Sequence, residues 1–410
     1  MSIILLLKKV YRKLRSVATF DATIPEITPM NSRFQKELGD ELRLNIIVPT
    51  LNPAHVFGGI TTAIHFYESL ADQLGIKRRM IVTDEETAPE YLGKYKGYSM
   101  VDCSDNAVFD RQVVPFSNRN GKSIPVGKND IFVCTGWWTA YNAKEIVNCI
   151  KENAGEAKPL VYLVQDYEPY FYPWSSRSAL AESTYHMDVP TIAVFNSCEL
   201  RDYFKLHNYS FYKEYSFDPV LNASLKKELL KSPPVKKEKK IIVYGRPSVV
   251  RNCFEIVVDS LRRWGKLVND ASEWQLISAG EKHQDLRITD TCVLRSCGKL
   301  TIEEYAKMMG SCYAGISLMV SPHPSYPPLE MSTFGVKTIT NTYENKDMAS
   351  FNGNMISLSD MTPENIAKKL AEITNSFDES NFTLETDTDY FKNELSLDSI
   401  CLGIKENLGL

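Results

Sequence analysis

The residues with the clearest chemical capacity are two arginines, Arg246 and Arg251, five apart in Gly245-Arg-Pro-Ser-Val-Val-Arg-Asn252. A guanidinium offers a planar fork of donors that matches phosphate oxygens, and its charge does not titrate away. Lys299 adds a third cation just ahead of Thr301-Ile-Glu-Glu304, which reads as a capping box. Fixed positive charges at strand ends suit a diphosphate; the plain alternative is a set of solvated loop residues. Glu330, in Pro327-Pro-Leu-Glu-Met331, is a carboxylate that can accept two hydroxyl hydrogen bonds, as a ribose or sugar supplies, or else cap the helix it opens. His323 and Tyr326 share the proline-rich loop before it, placed either to face a sugar or to pack. Gly58-Gly59 opens a helix after a strand, where backbone N–H groups and the helix dipole favour an anion. It is not G-x-G-x-x-G, which weakens a dinucleotide reading and leaves a tight turn as the alternative.

Such residues act together only if the backbone brings them to one edge. Residues 44–49 read as a strand, 50–59 as a loop, 60–74 as a helix and 80–82 as the next strand, the length of one βαβ unit. Further apolar runs at 131–134, 160–164 and 191–195 continue the series, and continuous apolar strands alternating with helices imply a parallel sheet. A charged stretch at 226–240, broken by Pro233-Pro234, reads as an exposed linker. A second series follows, with strands at 241–244, 274–277, 292–294 and 314–319, and Thr362-Pro-Glu364 opening a late helix. The expectation is two α/β lobes, with ligands held in the cleft beyond the strands' carboxyl ends.

Composition narrows the classes. The 410 residues carry 47 basic and 51 acidic side chains, net −4, so a general nucleic-acid binder is disfavoured. Nine scattered cysteines without C-x-x-C, and six dispersed histidines without H-E-x-x-H, argue against a disulfide framework and a structural metal, and point to a reducing, cytoplasmic setting. Asp387-Thr-Asp389 resembles a metal-binding D-x-D but lies in an acidic stretch and reads as solvated surface. The N-terminus has a short apolar run, 3–7, followed by Lys8, Lys9, Arg12, Lys13 and Arg15. Five apolar residues cannot span a bilayer. Residues 1–20 are expected either to touch the inner face of the cell membrane as a basic amphipathic helix or to pack on the body.

Taken together, Ser321-Pro-His-Pro-Ser-Tyr-Pro-Pro-Leu-Glu330, Phe334-Gly335 and Thr340-Asn341 resemble the donor-site signature of family 4 glycosyltransferases, which have the GT-B fold. Gln165-Asp-Tyr-Glu-Pro169 with Phe171-Tyr-Pro173, and Gly245-Arg-Pro247 with Arg251-Asn252, are similar to segments of its rhamnosyltransferase branch, more narrowly of S-layer glycan β1,2-rhamnosyltransferases. The resemblance runs from Leu44 to Asn345. It implies two Rossmann-like lobes facing an interdomain cleft: an N-terminal extension over 1–38, an acceptor lobe over 39–235, a donor lobe over 236–388, and a segment over 389–410 that packs back on the first lobe. It implies that Arg246 and Lys299 engage the donor diphosphate and act in catalysis, with Arg251, His323, Tyr326, Glu330 and Gly59 also on the donor side. Asp166 is its acceptor-side catalytic candidate, and His55, Gly58 and Glu168 its acceptor contacts. The implied reaction is retaining transfer of L-rhamnose from dTDP-β-L-rhamnose to a rhamnose hydroxyl of a growing, lipid-linked glycan, with no metal or cofactor.

Two positions depart from the family pattern. Pro322 stands eight residues before Glu330, where the wider family has a first glutamate, which disfavours a glucose-type donor and suits a 6-deoxy sugar. Arg251 stands where a lysine is usual. Transfer from another nucleotide sugar, sugar-nucleotide epimerisation and non-catalytic glycan binding stay open as alternatives, since one fold hosts many functions.

Overall fold

The computed structural model describes residues 23–56, 58–104 and 109–410, so the basic segment at 1–20 lies outside the described residues. The first lobe contains strands β1 (Ser32–Phe34), β2 (Arg43–Val48), β3 (Lys77–Val82), β4 (Ser99–Met100), β5 (Arg111–Pro115), β6 (Ile124–Val126), β7 (Asp130–Cys134), β8 (Leu160–Val164), β9 (Thr191–Phe195) and β10 (Lys213–Ser216). Eight of them form a parallel sheet in the order β10-β9-β8-β7-β2-β3-β5-β4, while β1 pairs with β6 apart from it. Every residue of β2, β7, β8 and β9 is buried, because helices cover both faces. Helix α1 (Gly58–Leu74) packs Phe66, Tyr67 and Leu70 against Ile46 and Val48. Helix α2 (Trp137–Ala154) packs Ile146 and Ile150 on the other face, with Ile47. Helices α3 (Ser176–Ser183) and α4 (Cys198–Leu206) complete the lobe.

The stretch at 226–240 is not an open linker. Residues Ala223–Lys231 form helix α5, whose Leu225 and Leu229, one turn apart, pack with Met309 of the second lobe. Lys237 is buried: its ammonium donates to Met309 O at 3.1 Å and Phe334 O at 2.7 Å, and faces the Phe382 ring. Composition alone hides this, because helix C-terminal carbonyls supply what a buried lysine needs. Burial still pulls its pKa down to about 7.

The second lobe has β11 (Glu238–Gly245), β12 (Gln275–Gly280), β13 (Leu286–Arg287), β14 (Val293–Gly298), β15 (Cys312–Ile316), β16 (Lys337–Asn341) and β17 (Met355–Leu358), ordered β13-β14-β12-β11-β15-β16-β17. All its pairs are parallel except β13 with β14. Helices α6 (Phe254–Leu267), α7 (Ile302–Ser311), α8 (Tyr326–Thr333) and α9 (Pro363–Asn375) flank this sheet. The expected caps form: Thr301 and Glu304 bond reciprocally at the start of α7, and Thr362 accepts from Asn365 N at the start of α9. After α10 (Asp389–Lys392), helix α11 (Asp398–Asn407) crosses back to the first lobe. There Ile400, Cys401, Ile404 and Leu408 join the core beneath α1, and Asn407 donates to the Tyr215 hydroxyl at 2.8 Å. No described helix is long and apolar enough to cross a membrane.

Candidate functional site

The two lobes meet where the chain leaves β8. Asp166 is buried; its Oδ1 accepts from Tyr167 N at 2.8 Å and from the Ser321 hydroxyl, and its Oδ2 lies 3.1 Å from Arg251 Nε. Ser321 follows β15 and Arg251 follows β11, so one first-lobe carboxylate holds two loops of the second lobe. The Arg251 guanidinium also lies over the Phe171 ring, 4.2 Å from its centre. Tyr170 and Tyr343 meet edge to face, and Asn345 Nδ2 donates to Glu199 O at 2.8 Å, adding further contacts between the lobes. Arg251 and Asp166, read from sequence as donor-side and acceptor-side groups, thus pair with each other.

Glu168 is buried and accepts from Trp137 N, the first residue of α2, and from the Tyr162 hydroxyl at 2.9 Å. It caps a helix start, where backbone donors lack intrahelical partners. Burial pushes its carboxyl up to about 8, against the hydrogen bonds from Tyr162 and Trp137. Gly58 and Gly59 begin α1. A Cβ at Gly58 would meet open space, whereas one at Gly59 would stand 3.4 Å from the Gln165 amide, which sets this helix start beside Asp166. His55, three residues earlier, pairs its Nδ1 with Glu85 Oε1 at 2.6 Å.

On the second lobe the ends of β11 and β12 approach so closely that side chains are excluded. A Cβ on Gly245 would stand 1.9 Å from the Ser278 hydroxyl, and one on Gly280, at φ +141°, would stand 2.6 Å from Gly245 O. Arg246 leaves from this tight pair, half-buried. Asn252 donates to Leu318 O at 3.1 Å, and Asn341 brackets Met319 with bonds of 2.7 and 3.0 Å, so these motif asparagines fix the loop after β15. Lys299 is exposed ahead of α7. Asp387 is exposed and pairs with Lys392.

His323 is buried, and its Nδ1 accepts from Ser325 N at 3.0 Å. The neutral ring therefore carries its hydrogen on Nε2, a buried donor with no partner among the described residues. Burial lowers its pKa to about 4, so the ring stays neutral near pH 7. Ser325 holds φ +69°, an unusual value for a side-chain-bearing residue, which aims its N–H at that ring just before α8. On α8, Glu330 lies among the phenols of Tyr305, Tyr326 and Tyr390, and burial raises its carboxyl to about 7. Lys346 is fully buried and donates to Met319 O at 2.7 Å, near Asp166. Glu85, Lys346, Tyr305 and Tyr390 escaped sequence reasoning, since none belongs to a motif and only folding gathers them.

Residues 43–198 match the family model WsaF, N-terminal domain, and 239–371 match WsaF, C-terminal domain. The chain carries both WsaF domains. These WsaF domains coincide with the two lobes and meet at the Asp166 bridge. The fold is GT-B. An α,α-trehalose-phosphate synthase (UDP-forming) from Burkholderia vietnamiensis superposes with TM-score 0.55 at 8% identity, covering 90% of this chain and 99% of that one. Sucrose-phosphate synthase from Thermosynechococcus elongatus gives 0.50 at 10% identity, covering 89% and 98%. At these identities the likeness concerns the fold. The O-antigen biosynthesis protein RfbC of Myxococcus xanthus is 26% identical over 319 residues, which is 78% of this chain but 23% of that protein.

The raised Glu330 carboxyl in the WsaF C-terminal domain has a measurable consequence. Its folded pKa of about 7 exceeds the ordinary 4.5, so between those values the folded state holds a proton that the unfolded state has released. Stability therefore falls as pH rises from 4.5 to 7. Glu330→Gln is expected to gain over the wild type across that window and to keep a constant advantage above pH 7. Urea unfolding at pH 5 and pH 8 checks this; an equal effect at both values would refute it.

Proposed function

We propose that this protein is a glycosyltransferase of bacterial surface-polysaccharide synthesis that moves L-rhamnose from dTDP-β-L-rhamnose to a rhamnose hydroxyl of a growing glycan, with retention and a β1,2 linkage. The observation that carries the reading is the convergence of both lobes at one carboxylate, Asp166, which brings the strand ends of the two sheets face to face. The match to both WsaF domains and the relative named for O-antigen biosynthesis support the polysaccharide setting. Pro322 in place of an acidic residue supports a 6-deoxy sugar.

In this reading Arg246 and Lys299 stabilise charge developing on the leaving diphosphate, as preorganised cations do without reorganisation at the moment of reaction. The Nε2–H of His323 donates to the transferred sugar or its phosphate. The partly protonated Glu330 becomes an ionised acceptor when ribose hydroxyls donate to it. Lobe contact holds the acceptor oxygen near the anomeric carbon and excludes water. The bond from the anomeric carbon to phosphate breaks, the bond to the acceptor oxygen forms on the same face, and the nucleoside diphosphate leaves with the electron pair and takes the acceptor's hydroxyl proton on a phosphate oxygen. The lipid carrier of the acceptor and contact of residues 1–20 with the membrane belong to this proposal.

The test is incubation with a panel of nucleotide sugars and a synthetic rhamnose acceptor, with products identified by mass and NMR. A rhamnosylated product bearing a β1,2 linkage is expected. Transfer from a different donor overturns the rhamnose assignment, and donor isomerisation without an acceptor overturns transfer itself.

A further inference from the structure

Thr50, Glu85 and His55 stand together in the loops that follow β2 and β3. We infer that they form a relay presenting Nε2 of His55 to the attacking hydroxyl of a saccharide acceptor, with Glu85 as the positioning residue. This rests on the glycosyltransferase reading above and adds to it the group that orients the nucleophile. Glu85 Oε1 lies 2.6 Å from His55 Nδ1, and Glu85 Oε2 accepts from the Thr50 hydroxyl at 2.8 Å. An ionised carboxylate can only accept, so Nδ1 carries the hydrogen and the neutral ring leaves a lone pair on Nε2. Partial burial works to raise the Glu85 carboxyl, and the bonds from Thr50 and His55 outweigh it, holding it below its ordinary range.

The loop around the relay is built by its own hydrogen bonds. Asn52 N donates to the Thr50 hydroxyl at 2.9 Å, His55 N and Val56 N both donate to Asn52 O at 2.9 Å, and Ala54 N donates to Asn52 Oδ1 at 3.1 Å. Glu85 N donates to Pro49 O at 3.2 Å, which ties the two loops. The His55 side chain is 55% exposed and that of Glu85 35%, so the imidazole is open with the carboxylate partly behind it. Its place is the lobe's carboxyl edge: α1 starts three residues later, with Gly59 against Gln165, the neighbour of the interlobe carboxylate Asp166. A lone pair there takes the hydrogen bond of a sugar hydroxyl and leaves the oxygen's own lone pairs free for attack. A mere surface His–Glu pair would add little to stability and nothing to transfer.

Nitrogen-15 shifts of His55 in the full chain, at a pH where the ring is neutral, read the tautomer directly. The Nδ1–H form is expected in the wild type and is lost in Glu85→Ala. With the active nucleotide sugar, Glu85→Ala is expected to lower kcat/KM for the saccharide acceptor about tenfold, the size of one misplaced hydrogen bond. Thr50→Val should lower it less, and Glu85→Gln, whose amide oxygen still accepts, should recover part of the loss. Affinity for the nucleoside diphosphate should not move in any of them. An Nε2–H tautomer in the wild type, or an unchanged acceptor kcat/KM in both Glu85→Ala and Thr50→Val, overturns the relay. A wild type that transfers from no nucleotide sugar overturns the functional reading instead, and the tautomer then decides the relay alone.

Discussion

Asp166→Asn is expected to part the two lobes. The substitution keeps the side chain's shape but removes the charge that faces Arg251 Nε at 3.1 Å, and an amide cannot serve the Ser321 hydroxyl and Arg251 equally well. Taking one member from a largely buried pair leaves the other charge without compensation, which costs about 3 kcal/mol. The loss is sharpened by Lys346, a fully buried ammonium whose charged form Asp166 also favours. Three readouts follow: a lower midpoint of unfolding, a larger radius of gyration by small-angle scattering, and a coupling energy in a double-mutant cycle with Arg251→Met. Unchanged scattering together with a coupling near zero would show that the bridge is incidental.

Arg246→Ala is expected to have the largest effect on activity with a small effect on stability. The guanidinium is half-buried and leaves a backbone fixed by the Gly245–Gly280 contact, so its direction is set by the main chain and survives deletion of the side chain. If it meets the charge that grows on a departing diphosphate, its removal should cost about 100- to 1000-fold in kcat/KM. Arg246→Lys should recover only part, because a point charge does not reproduce a two-pronged contact. Rates at saturating acceptor and calorimetric binding of the nucleoside diphosphate check this. Wild-type turnover and affinity in Arg246→Ala would remove Arg246 from the site.

The contrast between these two residues marks where sequence reasoning stops. Both arginines of Gly245-Arg-Pro-Ser-Val-Val-Arg251 looked alike in the chain, each near a strand end. Folding separates them: Arg246 emerges at the close approach of β11 and β12, while Arg251 reaches across to Asp166 and lies on Phe171. Glu168 and Glu330 diverge in the same way. Each is a carboxylate in a distinctive motif, but Glu168 sits under the first turn of α2, a partner 31 residues earlier in the chain, and Glu330 sits among phenols drawn from α7, α8 and α10. No spacing rule reports neighbours as distant as Trp137 from Glu168, or Tyr305 and Tyr390 from Glu330.

By itself the sequence determined the two α/β lobes, most strand positions, the caps at Thr301 and Thr362 and the loops that carry the candidate site. These follow from local causes: apolar runs bury on both faces, and capping side chains satisfy helix starts. Only the folded chain shows that 226–240 is part of the body and that Asp166, Ser321 and Arg251 share one contact. It also assembled the Thr50–Glu85–His55 relay. The reason is physical: a charge or hydroxyl is defined by what desolvates and faces it, and those groups arrive from segments scores of residues apart only when the sheets close on their helices.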